Sequence, residues 1–491
     1  MPTGNTLTIP ARPKTSFAGD VLKLVSGTTL AQLLGILAAP LLTRLYTPED
    51  FGTLALFTSI TNIVCVFSCL RYEISIMLPD TDQEAANLLA VSLIFAVITS
   101  LLMLPLVFTM GRVFIAWINA PMLASTLWLI PLAVFVGATS VALNYWNTRT
   151  KNFSHLATVR VTNATVSLSA QVGFGYSTYA TSGTLILGHI AGQLTGVTIL
   201  LERLGRVNSQ LLLKSVRFED MISAARRHYR FPLFGTWAAL LNTISWQLPA
   251  FLLSFYFSPA VVGYYALGLR LIQTPMSLIG NSIGQVFFQR ASAARAQGIL
   301  PQLVEDTFRQ LVRIGFLPMV TLSIIGRDLF VFAFGQHWAE AGIYTQILGI
   351  WAFFWFVSSP MSTLFAVHEK QGLSLLWNIF LILTRFISLA LGGYYQDARL
   401  SIVLFSLTGT LIYGVLNIYL IFISGSSAKK ILNIFTHEFL HMIPSILLIS
   451  LVNIVNVDIF IKLLIALLSI TLFYIFKYRI HSLLYKISLT S

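Results

Sequence analysis

Leu252-Leu253-Ser254-Phe255-Tyr256-Phe257-Ser258-Pro259-Ala260-Val261-Val262-Gly263-Tyr264-Tyr265-Ala266-Leu267 decides the architecture of this chain, because its pattern occurs twice. The other copy is Leu41-Leu42-Thr43-Arg44-Leu45-Tyr46-Thr47-Pro48-Glu49-Asp50-Phe51-Gly52-Thr53-Leu54-Ala55-Leu56, at a constant offset of 211 residues, with six identities and further Thr/Ser and Tyr/Phe matches. Each copy closes an apolar helix, breaks it at Thr/Ser-Pro, and places a glycine in the next helix. Around the copies lie apolar segments long enough to cross a bilayer. The expected spans number 14, all helical, near residues 21–45, 52–71, 86–110, 122–147, 158–180, 183–204, 231–257, 262–290, 311–334, 341–367, 371–395, 398–424, 438–456 and 458–476.

The repeat closes spans 1 and 7. Six spans per unit preserve parity, so both copies lie on one side of the membrane. The units are then parallel repeats about an axis along the membrane normal. The expected fold is an all-α polytopic membrane protein with two parallel six-helix lobes and two C-terminal helices. Residues 1–204 form the first lobe, 205–230 a basic linker, 231–425 the second lobe, and 426–491 the added helices and a tail.

Composition agrees. The chain has 491 residues, of which 56% are hydrophobic and 10% charged, against about 25% charged in soluble domains. The net charge of +13 does not point to nucleic acid, because the basic residues sit between apolar spans. That distribution follows the positive-inside rule. With both termini cytoplasmic, 24 of the 31 basic residues fall on that side, five on the other, and Arg270 and Arg385 deep within spans. No cleavable signal is evident in the first 20 residues, so span 1 is expected to act as its own insertion signal. Cys65 and Cys69 read as small buried side chains of span 2.

Val262–Ala291 carries Arg270, Gln273, Thr274, Ser277, Asn281 and Gln285 along one helical stripe. Lipid cannot solvate such a stripe, so it must face protein or a water-filled cavity. Span 1 carries Thr28, Gln32 and Gly35 in register, span 2 Thr58 and Asn62, and span 7 Thr243 and Gln247. The residues expected to meet a substrate are the arginines Arg270, Arg385, Arg44 and Arg71. A polar stripe of Gln32, Asn62, Thr243, Gln247, Gln273, Thr274, Ser277 and Asn281 accompanies them. The plainer reading makes the small polar residues helix contacts, Arg44 a boundary anchor and Arg71 a local partner of Glu73. No Asp or Glu is read deep within any span, so the chamber favours an anion, and a guanidinium suits phosphate.

His437-Glu438-Phe439-Leu440-His441 matches H-E-x-x-H, a pattern that presents two histidines to zinc with a glutamate base. A third ligand is the difficulty. After His441 the one remaining acid is Asp458, placed at the opposite membrane face.

Thr43-Arg44-Leu45-Tyr46-Thr47-Pro48-Glu49-Asp50-Phe51-Gly52 resembles the first-loop signature of oligosaccharide flippases in the multidrug/oligosaccharidyl-lipid/polysaccharide exporter superfamily. Leu70-Arg71-Tyr72-Glu73-Ile74-Ser75-Ile76-Met77-Leu78-Pro79 resembles the segment closing their second helix, and Val262-Gly263-Tyr264-Tyr265-Ala266-Leu267 the start of their eighth. The resemblance implies two six-helix bundles, often with two extra helices, in a bacterial inner membrane. It implies export of undecaprenyl-diphosphate-linked oligosaccharides for O-antigen, capsule or exopolysaccharide. It also implies a cationic cavity, with Arg270 where related lipid II flippases place an arginine. The expected partners are the lipid-linked oligosaccharide, membrane lipids and polysaccharide polymerase or chain-length machinery. No cofactor is expected, and coupling to H+ or Na+ is left open. A multidrug exporter of the same superfamily and an intramembrane zinc protease are the rival readings.

Overall fold

The computed structural model describes residues 17–177, 180–455 and 457–490; the side chains of Ser277, Asn281 and Gln285 lie outside the described residues. Fourteen long helices follow one another: α1 (Phe17–Leu45), α2 (Pro48–Ser68), α3 (Asp82–Trp117), α4 (Ile130–Arg149), α5 (Phe153–Tyr176), α6 (Ser182–Ser215) and α7 (Thr236–Tyr256), then α8 (Pro259–Gln297), α9 (Leu300–Phe334), α10 (Ala339–Met361), α11 (Gln371–Tyr394), α12 (Ala398–Ile423), α13 (Ala428–Ile454) and α14 (Ile459–Thr490). Among the described residues twelve are long and apolar enough to cross a membrane; the other two are α5 and α8, both rich in polar residues. No strand occurs among the described residues. The chain is a multi-pass membrane protein.

Local chemistry sets the helix starts. Thr47 is extended and its hydroxyl accepts from the Asp50 amide (3.2 Å), while the Asp50 carboxylate accepts from the Thr47 amide (3.0 Å). This reciprocal cap, with Pro48 in the first turn, is why Thr-Pro-Glu-Asp opens α2. In the second copy, Ser258 is extended and Pro259 opens α8. Thr81 caps α3, and Asp82 in its first turn is held by Arg149 at 3.1 Å.

Packing repeats with the sequence. In the first lobe α1 pairs with α5, α5 with α6, α3 with α4, α2 with α4, and α4 with α6. Six helices on, α7 pairs with α11, α11 with α12, α9 with α10, α8 with α10, and α10 with α12. The lobes meet chiefly where α2 crosses α8, through the two repeated motifs. A methyl group on Gly52 would overlap the Pro259 carbonyl, and one on Gly263 the Pro48 carbonyl. Only glycine lets two backbones approach so closely.

Each lobe also reaches over the other at this end. Trp338 Nε1 donates to the Thr43 carbonyl (3.0 Å), its ring edge-on to Phe51 (5.0 Å). In the opposite sense, Ser254 Oγ donates to Ile118 O (2.6 Å) and Asn119 Nδ2 to Phe257 O (2.9 Å).

The added helices α13 and α14 pack on α9. Helix α13 begins ten residues before the expected start at 438, which places Glu438 well inside it. Glu438 is fully buried, with Arg313 of α9 at 2.7 Å and Lys477 of α14 at 3.0 Å. This corrects the expectation that no acid lies deep within a span. It also engages the glutamate of the H-E-x-x-H pattern. The glutamate is held by two cations, His437 and His441 are exposed, and no metal-binding cluster occurs among the described residues.

Between the lobes, α6 runs on to Ser215, and a short amphipathic linking helix, Phe218–Arg227, precedes a π-helical turn at Phe231–Gly235 that leads into α7.

Candidate substrate chamber

Arg270 projects from α8, eleven residues from its start, which is about 17 Å along the axis. It is solvent-accessible on the face toward the first lobe. A Cβ built on Gly35 of α1 would lie 2.6 Å from Arg270 Nη2, so the absent side chain makes room for the guanidinium. One and two turns earlier on the same face of α1 are Gln32 and Thr28, and Thr28 Oγ1 accepts from Arg160 of α5. The stripe of span 1 therefore lies between two arginines, one from each lobe. Their contact points, Thr28 and Gly35, are seven residues or about 10 Å apart. From α6, His189 is within electrostatic reach of Arg270, and Gln193 lies 3.0 Å from its Nε2, the amide donating to the ring.

Arg160, His189 and Gln193 were not among the expected site residues. Helix α5 begins at Phe153, five residues before the expected span, so Arg160 stands two turns inside it instead of at its edge. His189 and Gln193 are one turn apart on α6 and read as ordinary polar helix contacts until Arg270 is placed beside them.

The other expected residues divide. Asn62 is exposed, and Gln273, Thr274 and Thr243 are half-buried; Thr274 donates to the Arg270 carbonyl (2.8 Å). Gln247 is engaged, its Oε1 accepting from Ser59 of α2 (2.8 Å) in a cross-lobe bond. Arg44 is exposed in the last turn of α1, far along the helix from Arg270's neighbour Gly35.

Arg385 is not a free cavity cation. It is 5% exposed, donates to Ser245 O (2.9 Å), Ser245 Oγ (2.8 Å) and Tyr413 Oη (3.1 Å), and stacks 4.7 Å from the Trp246 ring. It clamps α11 to α7 and α12. Charge burial on this scale demands such partners.

Arg71 closes α2 in the left-handed region (φ 62°), after Leu70 at φ 49°. Two successive non-glycine residues there store backbone strain. Arg71 lies 3.5 Å from Glu73, which is buried and has no hydrogen-bond partner at Oε2 among the described residues. Burial pushes the Glu73 carboxyl above the usual carboxylate range, opposed by its own backbone hydrogen bond and by Arg71.

An apolar groove of about 760 Å³ adjoins the chamber, lined by Leu33 and Ile36 of α1, Leu271 and Thr274 of α8, and faces of α9 and α14. The guanidinium of Arg270 and the floor of this groove thus share the α1–α8 contact.

This is the fold of the multidrug/oligosaccharidyl-lipid/polysaccharide exporter superfamily. The chain belongs to the polysaccharide biosynthesis protein family, whose model matches residues 41–342. Its fold is similar to that of the lipid II flippase MurJ in an inward closed conformation, with TM-score 0.71 and 15% identity over 93% of this chain and 99% of that one. A MATE family multidrug resistance transporter is similar in its inward-facing conformation, with TM-score 0.59 and 13% identity over 85% of this chain and 96% of that one. In an outward-facing conformation of such a transporter the TM-score is 0.53, with 14% identity over 83% and 97%. At these identities the likeness is one of fold. No curated protein matches the chain.

Proposed function

We propose that the chain is a flippase that moves undecaprenyl-diphosphate-linked oligosaccharide repeat units across the bacterial inner membrane, for O-antigen, capsule or exopolysaccharide synthesis. The observation that carries this reading is the pair Arg160 and Arg270, drawn from opposite lobes onto one stripe of α1. Two guanidinium groups on that spacing suit a diphosphate and its first sugar. The adjoining apolar groove gives the polyprenyl tail a path alongside α1. The half-buried amides and hydroxyls of Gln32, Gln273 and Thr243 are suited to sugar hydroxyls.

The motion is alternating access, one lobe rocking against the other. The crossed glycine motifs seal the side opposite the basic loops, so substrate enters from the cytoplasm, where both termini lie. Ion coupling is assigned to protons: Glu73, buried beside Arg71, whose side chain adjoins the second lobe's Gly235, is the group best placed to exchange one. A polysaccharide polymerase and chain-length machinery would receive the exported unit. A multidrug exporter of cations is less well supported, because the chamber is lined by arginines.

The test is surface-glycan display in cells carrying Arg270→Ala, Arg270→Lys, Arg160→Ala or His437→Ala at matched protein levels. Loss of display with lipid-linked units accumulating inside is expected for Arg270→Ala and Arg160→Ala, with partial rescue by Arg270→Lys. His437→Ala should leave display intact. Normal display with both arginines removed would overturn the mechanism.

A further inference from the structure

The basic linker between the lobes is not used by this mechanism. Its helix, Phe218–Arg227, is bolted to the first lobe. Arg227 Nη1 lies 2.9 Å from Glu84, Asn87 Nδ2 donates to Ser215 O (2.9 Å), and Tyr72 Oη donates to Ala225 O (3.2 Å). Ala224 is buried on that side. The opposite side is apolar and uncovered. Phe218 is 74% exposed and Ile222, one turn on, is exposed as well; past the end of the helix at Arg227, Tyr229 and Leu233 are also exposed. The stripe ends in Phe234, 67% exposed, within the turn that leads the chain into α7. Arg217, Arg226 and Arg230 flank it. All three are exposed and have no ion-pair partner among the described residues.

We propose that the linking helix is an interfacial lipid-binding element: its apolar stripe seats in the cytoplasmic leaflet, and Arg217, Arg226 and Arg230 hold the phosphates of anionic phospholipids. Two observations favour a bilayer over a protein partner. The stripe is continuous with a helix that enters the membrane, so the surface it meets next is the leaflet itself. The unpaired charge beside it is predominantly positive, Arg217, Arg226, Arg230 and Lys214 outnumbering Glu219 and Asp220, as a basic lipid contact requires. Because the helix joins α6 to α7, its seating fixes the one covalent link between the rocking lobes. The inference rests on the cytoplasmic placement of residues 205–230 given above. It does not depend on what is transported.

The test uses the full chain carrying Ile222→Cys and an environment-sensitive fluorophore, in nanodiscs of phosphatidylcholine alone or with phosphatidylglycerol. The parent chain, whose Cys65 and Cys69 lie at the end of α2, serves as the background control. A blue shift with phosphatidylglycerol, reversed by salt, is expected. Each arginine contributes about fivefold to surface partitioning, so Arg217→Gln with Arg226→Gln and Arg230→Gln should lower the equilibrium constant for seating about a hundredfold. Arg206→Gln, which removes only an arginine paired with Glu202, should not. An equal shift in both lipids, or one unchanged in the triple variant, would overturn headgroup recognition. A label that stays aqueous in both would overturn seating and point to a protein partner. None of these readouts needs transport, so a failed flippase reading would leave the result interpretable.

Discussion

Arg270 and Arg385 look alike in sequence: each is a lone arginine in an apolar helix. Their surroundings separate them. Arg270 meets a glycine and a cavity, whereas Arg385 meets Ser245, Trp246 and Tyr413. Those partners come from helices 140 and 28 residues away, a distance that no reading of span 11 alone could bridge. Replacing Arg385 with Ala should therefore lower thermal stability in detergent, by about 1–3 kcal/mol for the buried partners left unpaired, and should do so with or without substrate. Loss of transport at unchanged stability would return Arg385 to the chamber. Glu73 gives a pH signature. Its pKa is raised by burial, so the stability of the neutral form is complete below the ordinary carboxylate pKa of about 4.3 and is lost as pH rises through the folded-state value. Glu73→Gln should flatten that dependence and stabilise the protein at neutral pH. A pH profile unchanged by Glu73→Gln would refute the assignment.

At the scale of elements, helical spacing was legible wherever it was local. The stripe on span 1 follows from Thr28, Gln32 and Gly35 at one-turn intervals, and the structure places its two ends on arginines. Helix ends were less legible, because polar first turns dilute the apolar signal. The early starts of α5 and α13 moved Arg160 and Glu438 from helix edges to interior positions. The Arg313–Glu438–Lys477 cluster is what ties α13 and α14 to α9. Glu438→Gln leaves two half-buried cations without a counter-charge, so it should loosen the pair. Hydrogen exchange should rise along α13 and α14 and stay unchanged in α1 to α6. Adding Arg313→Met to Glu438→Gln should recover part of the protection. Uniform exchange across all helices would argue against a local tie.

For the whole molecule, the repeat at an offset of 211 residues was the most informative feature of the sequence. It gave six-helix lobes and their parallel arrangement, and the structure adds that the two copies touch one another. Gly52→Ala and Gly263→Ala should each force the crossing of α2 and α8 apart. Because both act on one contact, the double variant should cost less than the sum of the singles. Cysteine labelling at Arg44, from outside the cell, would report the opening as faster modification; rates unchanged from wild type would show that the seal lies elsewhere.

That crossing is made of peptide carbonyls and missing side chains. It offers a passing glycan nothing that distinguishes one sugar from another. Under the proposed function the exit is blind to cargo, and selectivity is then written on the inner walls, along α1, α5, α6 and α8. Chimeras that trade the outer motifs between relatives with different glycans should keep the host's choice of cargo. Trading the walls should change it.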